Sequence, residues 1–175
     1  MKKLKVLIFV ALLFVSCSND DDTIQTQIKK NEVTVALNRF EVGQAKLFND
    51  GTFNGVTEFE FYLTETGLNI DNNQNFSGNG SFLSLRLFSG NTSSLETGNY
   101  LYNDQDSNAF ILNRGYHFLE YNASLGDNQS GDIDIESGSI SVTLENEVYT
   151  ITINLIDEDG NMVNGYYKGA VEEIL

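Results

Sequence analysis

The feature that most constrains the fold is a period-two alternation of apolar and polar residues near the C-terminal end. Residues on one side of a β-strand recur at every second position. Between residues 139 and 171 three segments follow this rule, with their apolar positions at Ile140, Val142 and Leu144, at Tyr149, Ile151, Ile153 and Leu155, and at Val163, Tyr167 and Val171. Turns at 145–147 and at 157–161, the second with Asp159-Gly160, separate them. The pattern predicts a three-stranded antiparallel meander.

Two earlier segments carry the same alternation. Residues 57–63 place Phe59, Phe61 and Leu63 on one side, and residues 82–88 do so with Leu83, Leu85 and Leu87. In the second segment Phe82 and Phe88 leave the opposite side partly apolar. Gly- and Asn-rich breaks separate the segments, there is no proline, and helical spacing is hard to find after the N-terminus. We therefore predict an all-β fold, either an antiparallel β-sandwich or a flattened β-barrel, and composition does not choose between them.

The N-terminal residues predict a secretion signal that is removed. A cationic head containing Lys2, Lys3 and Lys5 precedes ten apolar residues at 6–15, too few for a bilayer-spanning helix, which takes about 20. The order Leu13-Phe14-Val15-Ser16-Cys17 resembles a bacterial lipobox, in which a small residue precedes the cysteine that is acylated. We expect a signal peptide at 1–16 and lipidation of Cys17. The alternative is cleavage elsewhere, with Cys17 an incidental thiol.

The residues after Cys17 predict a tether and an address. The run Ser18, Asn19, Asp20, Asp21 and Asp22 resembles the acidic export signal of surface lipoproteins in Bacteroidota. It predicts an outer-membrane protein exposed on the cell surface. The alternative location is the periplasmic leaflet of that membrane, and the alternative role for the acidic run is a plain solvated tether. Residues 17–31 are then the lipidated cysteine and a flexible linker, and residues 32–175 form one β domain.

The charge of the chain limits its partners. Loss of residues 1–16 removes three lysines and no acid, so the net charge falls from −15 to −18. Such a surface repels nucleic acid and anionic headgroups, and we expect no nucleic-acid partner.

The order of several motifs carries a resemblance to a known group. Its segments run from Leu95-Glu96-Thr97-Gly98-Asn99-Tyr100-Leu101-Tyr102, through Gly138–Val142 and Tyr149–Ile153, to Asp159-Gly160 and Gly165-Tyr166-Tyr167-Lys168-Gly169. Together with the lipoprotein start, this order is similar to uncharacterised lipoproteins of Bacteroidota, flavobacteria above all. The resemblance implies the compartment and an all-β fold, and it brings no activity or site residue with it.

Catalytic patterns are weak in this sequence. The only histidine, His117, reads as a strand residue in register with Leu119 and Tyr121, bonded to a neighbour or to water. There is no nucleophile elbow, and one histidine and one cysteine are too few for zinc. Carboxylate pairs such as Glu58 with Glu60 have the spacing of a glycosidase, yet they are also what a solvated strand face presents. We expect no enzyme and no required cofactor.

Calcium is the better hypothesis for the acidic residues, because hard oxygen ligands are plentiful. The loop at 157–161 is the first candidate, with Asp157, Asp159 and Asn161 as ligands. Residues 104–108 and 132–136 are two further candidates. None matches an EF-hand loop, and in 157–161 the glycine stands where a hairpin turn needs it.

Tyrosines are the remaining candidates for a binding surface. Exposed rings stack on sugars or anchor protein interfaces, although strands also bury aromatic residues in their cores. We consider Tyr166, Tyr100 and Tyr102, with Tyr166 the more exposed of its pair because Tyr167 shares a side with Val163 and Val171. The sequence thus predicts a non-catalytic domain that binds an extracellular glycan or protein. The alternatives are a structural or accessory envelope lipoprotein without its own ligand, and a small hydrolase.

Overall fold

The fold is all-β, as predicted, and it is built around a closed barrel of nine strands. The computed structural model describes residues 29–174. Its elements are β1 (Glu32–Val35), β2 (Asn38–Phe53), β3 (Val56–Glu65), β4 (Leu68–Ile70), β5 (Phe76–Ser89), β6 (Gly98–Tyr102), β7 (Ile111–Asn122), a 3₁₀ segment (Ala123–Asn128), β8 (Asp132–Glu145), β9 (Val148–Asp157), β10 (Met162–Gly169) and β11 (Glu172–Ile174). None of the helices in this part of the chain is long and apolar enough to cross a bilayer.

The strand order shows how the barrel closes. Neighbours follow β1-β10-β9-β8-β6-β7-β5-β3-β2, and β2 pairs with β1 to complete the ring. Of the two predicted architectures the barrel is the one found. Most pairings are antiparallel, but β6 with β7 and β11 with β2 are parallel, which the prediction of a purely antiparallel sheet missed.

The C-terminal meander has the predicted form. Strands β8, β9 and β10 pair antiparallel in sequence order, with Ile140 opposite Ile153 and Ile151 opposite Tyr167. The first turn is tight because Asn146 and Glu147 both have positive φ. The second uses Gly160, at φ 79°. The first is the conformation that a two-residue hairpin turn requires, whereas the second is a four-residue loop, 158–161, in which Gly160 supplies the one positive φ.

The inward positions of the alternating segments form the main core. Leu83, Leu85 and Leu87 of β5 are fully buried there, together with Phe59 and Phe61 of β3. Burial of apolar surface contributes about 25 cal/mol per Å², so this filled interior is the main source of stability. The sequence predicted which side of β3, of β5 and of the meander strands points inward.

A second apolar cluster lies outside the barrel wall. It is formed by outward residues of β2, β3, β5 and β7, covered by the short strand β4: Phe48, Tyr62, Leu68, Ile70, Phe82 and Phe118, with Phe76, Tyr116, Tyr121 and Ile174 at its edge. Phe82 lies at its centre, with its ring 4.8 Å from Phe76 and 5.5 Å from Tyr121 between centroids. We call this outward side of β2, β3, β5 and β7 the covered face.

One residue of this cluster was placed on the wrong side by the sequence prediction. Tyr121 was expected to share a side with His117, but it packs with Phe82 and Phe118 in the outer cluster. The reason is a β-bulge, since Glu120 has φ 59° and the register shifts between Gly80 and Phe82. An extra residue in one strand reverses the sides of those that follow.

Candidate functional site

The candidate site lies on the uncovered outer side of the barrel, where β1, β8, β9 and β10 present polar side chains. We call this side the open face. Tyr166 is opposite Glu32 of β1 and Thr152 of β9, and Thr152 is opposite Ser141 of β8. A second row runs from Arg39 of β2 through Thr34, Asn164 and Asn154 to Ser139. Strands lie about 4.8 Å apart, so the first row extends about 14 Å over four strands and the second about 19 Å over five.

A groove with a volume of about 650 Å³ lies on this face and holds the Tyr166 ring. Its walls are lined by Lys29, Lys30, Glu32, Thr34, Arg39, Thr152, Ile153, Asn154, Asn164, Gly165 and Tyr166. The Tyr166 side chain is half-buried and is more exposed than that of Tyr167, as the sequence predicted for this pair. We call this depression the Tyr166 groove.

Three cations, Lys29, Lys30 and Arg39, line the Tyr166 groove. The Lys29 ammonium lies 5.0 Å from the centre of the Tyr166 ring, a cation–π contact. Arg39 Nη1 lies 3.8 Å from Glu32 Oε2, and both side chains reach solvent. Glu32 is the only acidic residue among the groove walls that the structure describes. The groove is therefore basic in a strongly acidic protein.

Asn31 explains how the residues before β1 come to lie beside Tyr166. Its side-chain amide donates to the Lys168 carbonyl at 3.1 Å, and its side-chain oxygen accepts from the Lys168 N–H at 2.8 Å. Its own carbonyl accepts from the Val42 N–H at 2.9 Å. Asn31 thus fastens the chain between β10 and β2, which directs Lys29 and Lys30 over the open face.

The structure places the other two predicted tyrosines, Tyr100 and Tyr102, away from the Tyr166 groove. Tyr100 is fully buried, its hydroxyl donates to the Glu96 carbonyl at 3.1 Å, and its ring packs against Phe110. Burial raises the pKa of Tyr100 to about 12. The prediction of Tyr100 as a ligand-binding residue was wrong, because its side chain points into the barrel while that of Leu101, at 55% exposure, points out. Tyr102 remains partly exposed and packs against the core.

Tyr102 opens onto a second depression, which joins the acidic segments considered for calcium. Asp104, Asp134, Glu136 and Glu158 line it, together with Arg114. Arg114 Nη2 lies 3.9 Å from Asp134 Oδ1. Among residues 29–174 no group of three or more acidic, histidine or cysteine side chains is close enough to hold a metal ion.

Two of the three proposed ligands of the 157–161 loop, Asp157 and Asn161, bond to each other in the structure. Asp157 is fully buried, and its Oδ2 lies 3.0 Å from His117 Nε2 and accepts from Asn161 Nδ2 at 3.3 Å. Its Oδ1 accepts from the Asn161 N–H at 2.8 Å. Asp159 is exposed and lies apart from this pair in the turn. Burial raises the pKa of Asp157, but the hydrogen bonds from His117 and Asn161 lower it by more. The pKa of Asp157 therefore lies below its ordinary value. The pair closes the loop as a structural latch, and His117 has the bonded neighbour that was expected.

The carboxylate pair Glu58 and Glu60 shares one guanidinium on the covered face. Arg86 Nε lies 3.0 Å from Glu58 Oε1 and 3.6 Å from Glu60 Oε2. Glu60 also accepts from the Ser84 hydroxyl. Burial raises the pKa of Glu60, while Ser84 and Arg86 partly offset that rise.

The predictions for the N-terminal residues concern positions outside the described part of the chain. These are the lipidation of Cys17 and the export signal of Ser18, Asn19, Asp20, Asp21 and Asp22. Sequence reasoning also missed the cations of the groove. The available signal was that Lys29, Lys30 and Arg39 are three of the ten lysines and arginines in an acidic chain and lie within eleven residues.

Comparisons with known proteins return nothing for this chain: no family model, curated protein or solved structure matches it. The resemblance to lipoproteins of Bacteroidota therefore stays a prediction.

Proposed function

We propose that this protein is a lipid-anchored outer-membrane protein, exposed on the cell surface, whose barrel binds extracellular glycan without catalysis. The observation that carries the binding role is the open face, where hydroxyl and amide side chains of β1, β9 and β10 line the groove beside the half-buried Tyr166 ring. Hydroxyls and amides donate and accept hydrogen bonds with sugar hydroxyls, and an aromatic ring offers an apolar surface to a sugar face.

The contrast with the rest of the barrel supports the choice of site. On the covered face the outward aromatic residues are packed under β4, so that their rings stabilise the fold. On the open face no described element covers Tyr166, Thr152 or Asn164. A protein ligand is the alternative for this surface, since tyrosines also anchor interfaces. A structural lipoprotein without a ligand is the second alternative.

The test of binding is a glycan array probed with purified protein and three variants. Tyr166→Ala removes the ring and should abolish the signals, while Tyr166→Phe keeps the ring and should retain most of them. Phe53→Ala is the matched control, because Phe53 is an aromatic residue with 77% exposure at the far end of β2. Signals that survive Tyr166→Ala would contradict the proposed site, and an array without signals would favour the structural alternative.

The test of location is protease treatment of intact cells. Native protein should be degraded from outside, and a variant with Asp20, Asp21 and Asp22 replaced by Ala should be protected. If both are protected, the barrel faces the periplasm and the surface assignment is wrong. Replacement of Cys17 by Ala should release the protein from the membrane fraction, and its retention there would contradict lipidation.

A further inference from the structure

Carboxylate partners are distributed unevenly among the lysines and arginines of the barrel. Lys46, Arg86 and Arg114 each have a carboxylate within 4 Å, with Lys46 Nζ 3.2 Å from Glu172 Oε2. Among the described residues Lys29, Lys30 and Lys168 have no carboxylate within that distance. Arg39 has only Glu32, at 3.8 Å, and is 68% exposed. The cations without close partners therefore concentrate on the open face, at or beside the Tyr166 groove.

Electrostatics makes this concentration unfavourable without a ligand. The chain has an excess of 15 acidic charges, so cations would be expected to pair with acids throughout the surface. Instead Asn31 holds Lys29 and Lys30 near Arg39 and away from the acidic clefts. Like charges held in one place favour the binding of an anion, and a local positive potential inside a negative surface attracts anionic groups to that place.

The remaining groove residues indicate what carries the anionic groups. Thr34, Thr152, Asn154 and Asn164 offer neutral donors and acceptors between the cations, and Tyr166 offers a ring. A ligand that satisfies all three has hydroxyls, apolar ring faces and negative charges repeated along an extended chain.

We propose that the Tyr166 groove selects acidic polysaccharides, with uronate or sulfate groups bound by Lys29, Lys30 and Arg39 beside the Tyr166 ring. This inference rests on the proposed glycan-binding function and adds its substrate class. The contacts are charge-assisted hydrogen bonds to the anionic groups, and bidentate binding is available to Arg39.

The experiment compares polymers that differ only in charge. Purified protein is titrated with polygalacturonate and with its methyl-esterified form, and then with dextran sulfate and dextran. The charged polymer of each pair should bind about tenfold tighter or better at low salt. The preference should weaken as sodium chloride is raised from about 50 to about 300 mM, because the screening length shortens.

Variants connect the preference to the groove. The double variant Lys30→Gln/Arg39→Gln should lose the preference for the charged polymer while keeping residual binding to the neutral one. Arg114→Gln is the matched control, since Arg114 is an exposed cation beside Tyr102, outside the groove. Thermal unfolding of each variant shows whether the fold is intact.

The outcomes separate the two proposals. Equal binding of charged and neutral polymers, abolished by Tyr166→Ala, would overturn the selection for acidic polysaccharides and leave the glycan function standing. Binding of charged polymers that survives both Tyr166→Ala and the double variant would be unspecific ion exchange and would contradict both proposals. Vesicles of phosphatidylglycerol that bind as tightly as polygalacturonate would overturn the assignment of a polysaccharide. Absence of binding to every polymer would contradict both.

Discussion

The covered face and the open face share one barrel wall and differ in what lies outside it. Inside, both contribute buried aliphatic residues at every second position, such as Leu85 of β5 and Ile153 of β9. Outside, β5 carries Phe82, which is 2% exposed under β4, whereas β9 carries Thr152 and Asn154, which reach solvent. The barrel therefore has one side committed to stability, and we infer that the other is free for binding. Four predictions test this division, from the largest expected effect to the smallest.

Phe82→Ala should cause the largest loss of stability. Phe82 contacts Tyr62, Phe76, Tyr116, Phe118 and Tyr121 in the outer cluster. Deletion of its ring leaves a cavity and should lower the free energy of unfolding by about 3–5 kcal/mol. Urea denaturation measures this, and a loss below about 1 kcal/mol would mean that the outer cluster is not a core.

Asp157→Asn tests the buried pair His117 and Asp157, which joins β7, a strand of the covered face, to β9, a strand of the open face. It should cost about 2–3 kcal/mol at neutral pH, because His117 and Asn161 lose a charged acceptor in a buried site. Because the pKa of Asp157 is lower in the fold than in the unfolded chain, its carboxylate stabilises the fold at pH values above the unfolded-state pKa of about 4. This stabilisation is lost as the pH falls through the pKa of the folded state.

The pH dependence supplies the check on that reasoning. In the variant, unfolding free energy should fall less steeply than in the native protein between about pH 5 and pH 2. Parallel curves for the two proteins would contradict the assigned pKa shift. Asp159→Asn is the control, since Asp159 is exposed in the same turn.

Asn31→Ala tests how the cations are held on the open face. Two side-chain hydrogen bonds to Lys168 are lost, which should cost about 1 kcal/mol in unfolding free energy. A loss of this size leaves the protein folded, and by itself it should not weaken binding. Binding of polygalacturonate should nevertheless weaken, because Lys29 and Lys30 are no longer directed at the groove. Titration of native protein and variant compares the two, and unchanged affinity would separate the clamp from the binding site.

Tyr166→Ala should have the smallest effect on stability. Its half-buried ring lies on the open face, so the change should stay within about 0.5 kcal/mol while glycan binding is lost. The comparison with Phe82→Ala is the sharpest form of the contrast, since one aromatic residue serves the fold and the other the ligand. A loss at Tyr166 as large as that at Phe82 would place Tyr166 in the core.

Local alternation predicted the interior, but it could not predict the outer environment. Leu83, Leu85 and Leu87 point inward because the pattern of β5 is regular. The position of Tyr121 depended on a bulge at Glu120, which no residue type in that segment signals. Tyr100 was misjudged because β6 is short and carries no apolar alternation that shows which side points inward: Leu101 is 55% exposed while Tyr100 is fully buried.

Long-range pairing accounts for the rest of what sequence could not reveal. Tyr166 was correctly placed outward from its neighbours, Val163 and Tyr167. The cations beside it became visible only when Glu32 of β1 paired with Tyr166 of β10, which is 134 residues further along the chain. The parallel pairing of β11 with β2 depends in the same way on contacts that local patterns do not encode.

The most direct measurement is a two-dimensional amide NMR titration of the protein with polygalacturonate oligomers. We predict chemical-shift changes confined to β1, β9 and β10 and to the segment around Arg39, with the amides of the covered face unchanged. Changes centred on the covered face or on the acidic depression beside Tyr102 would contradict the division of the barrel into a structural side and a binding side.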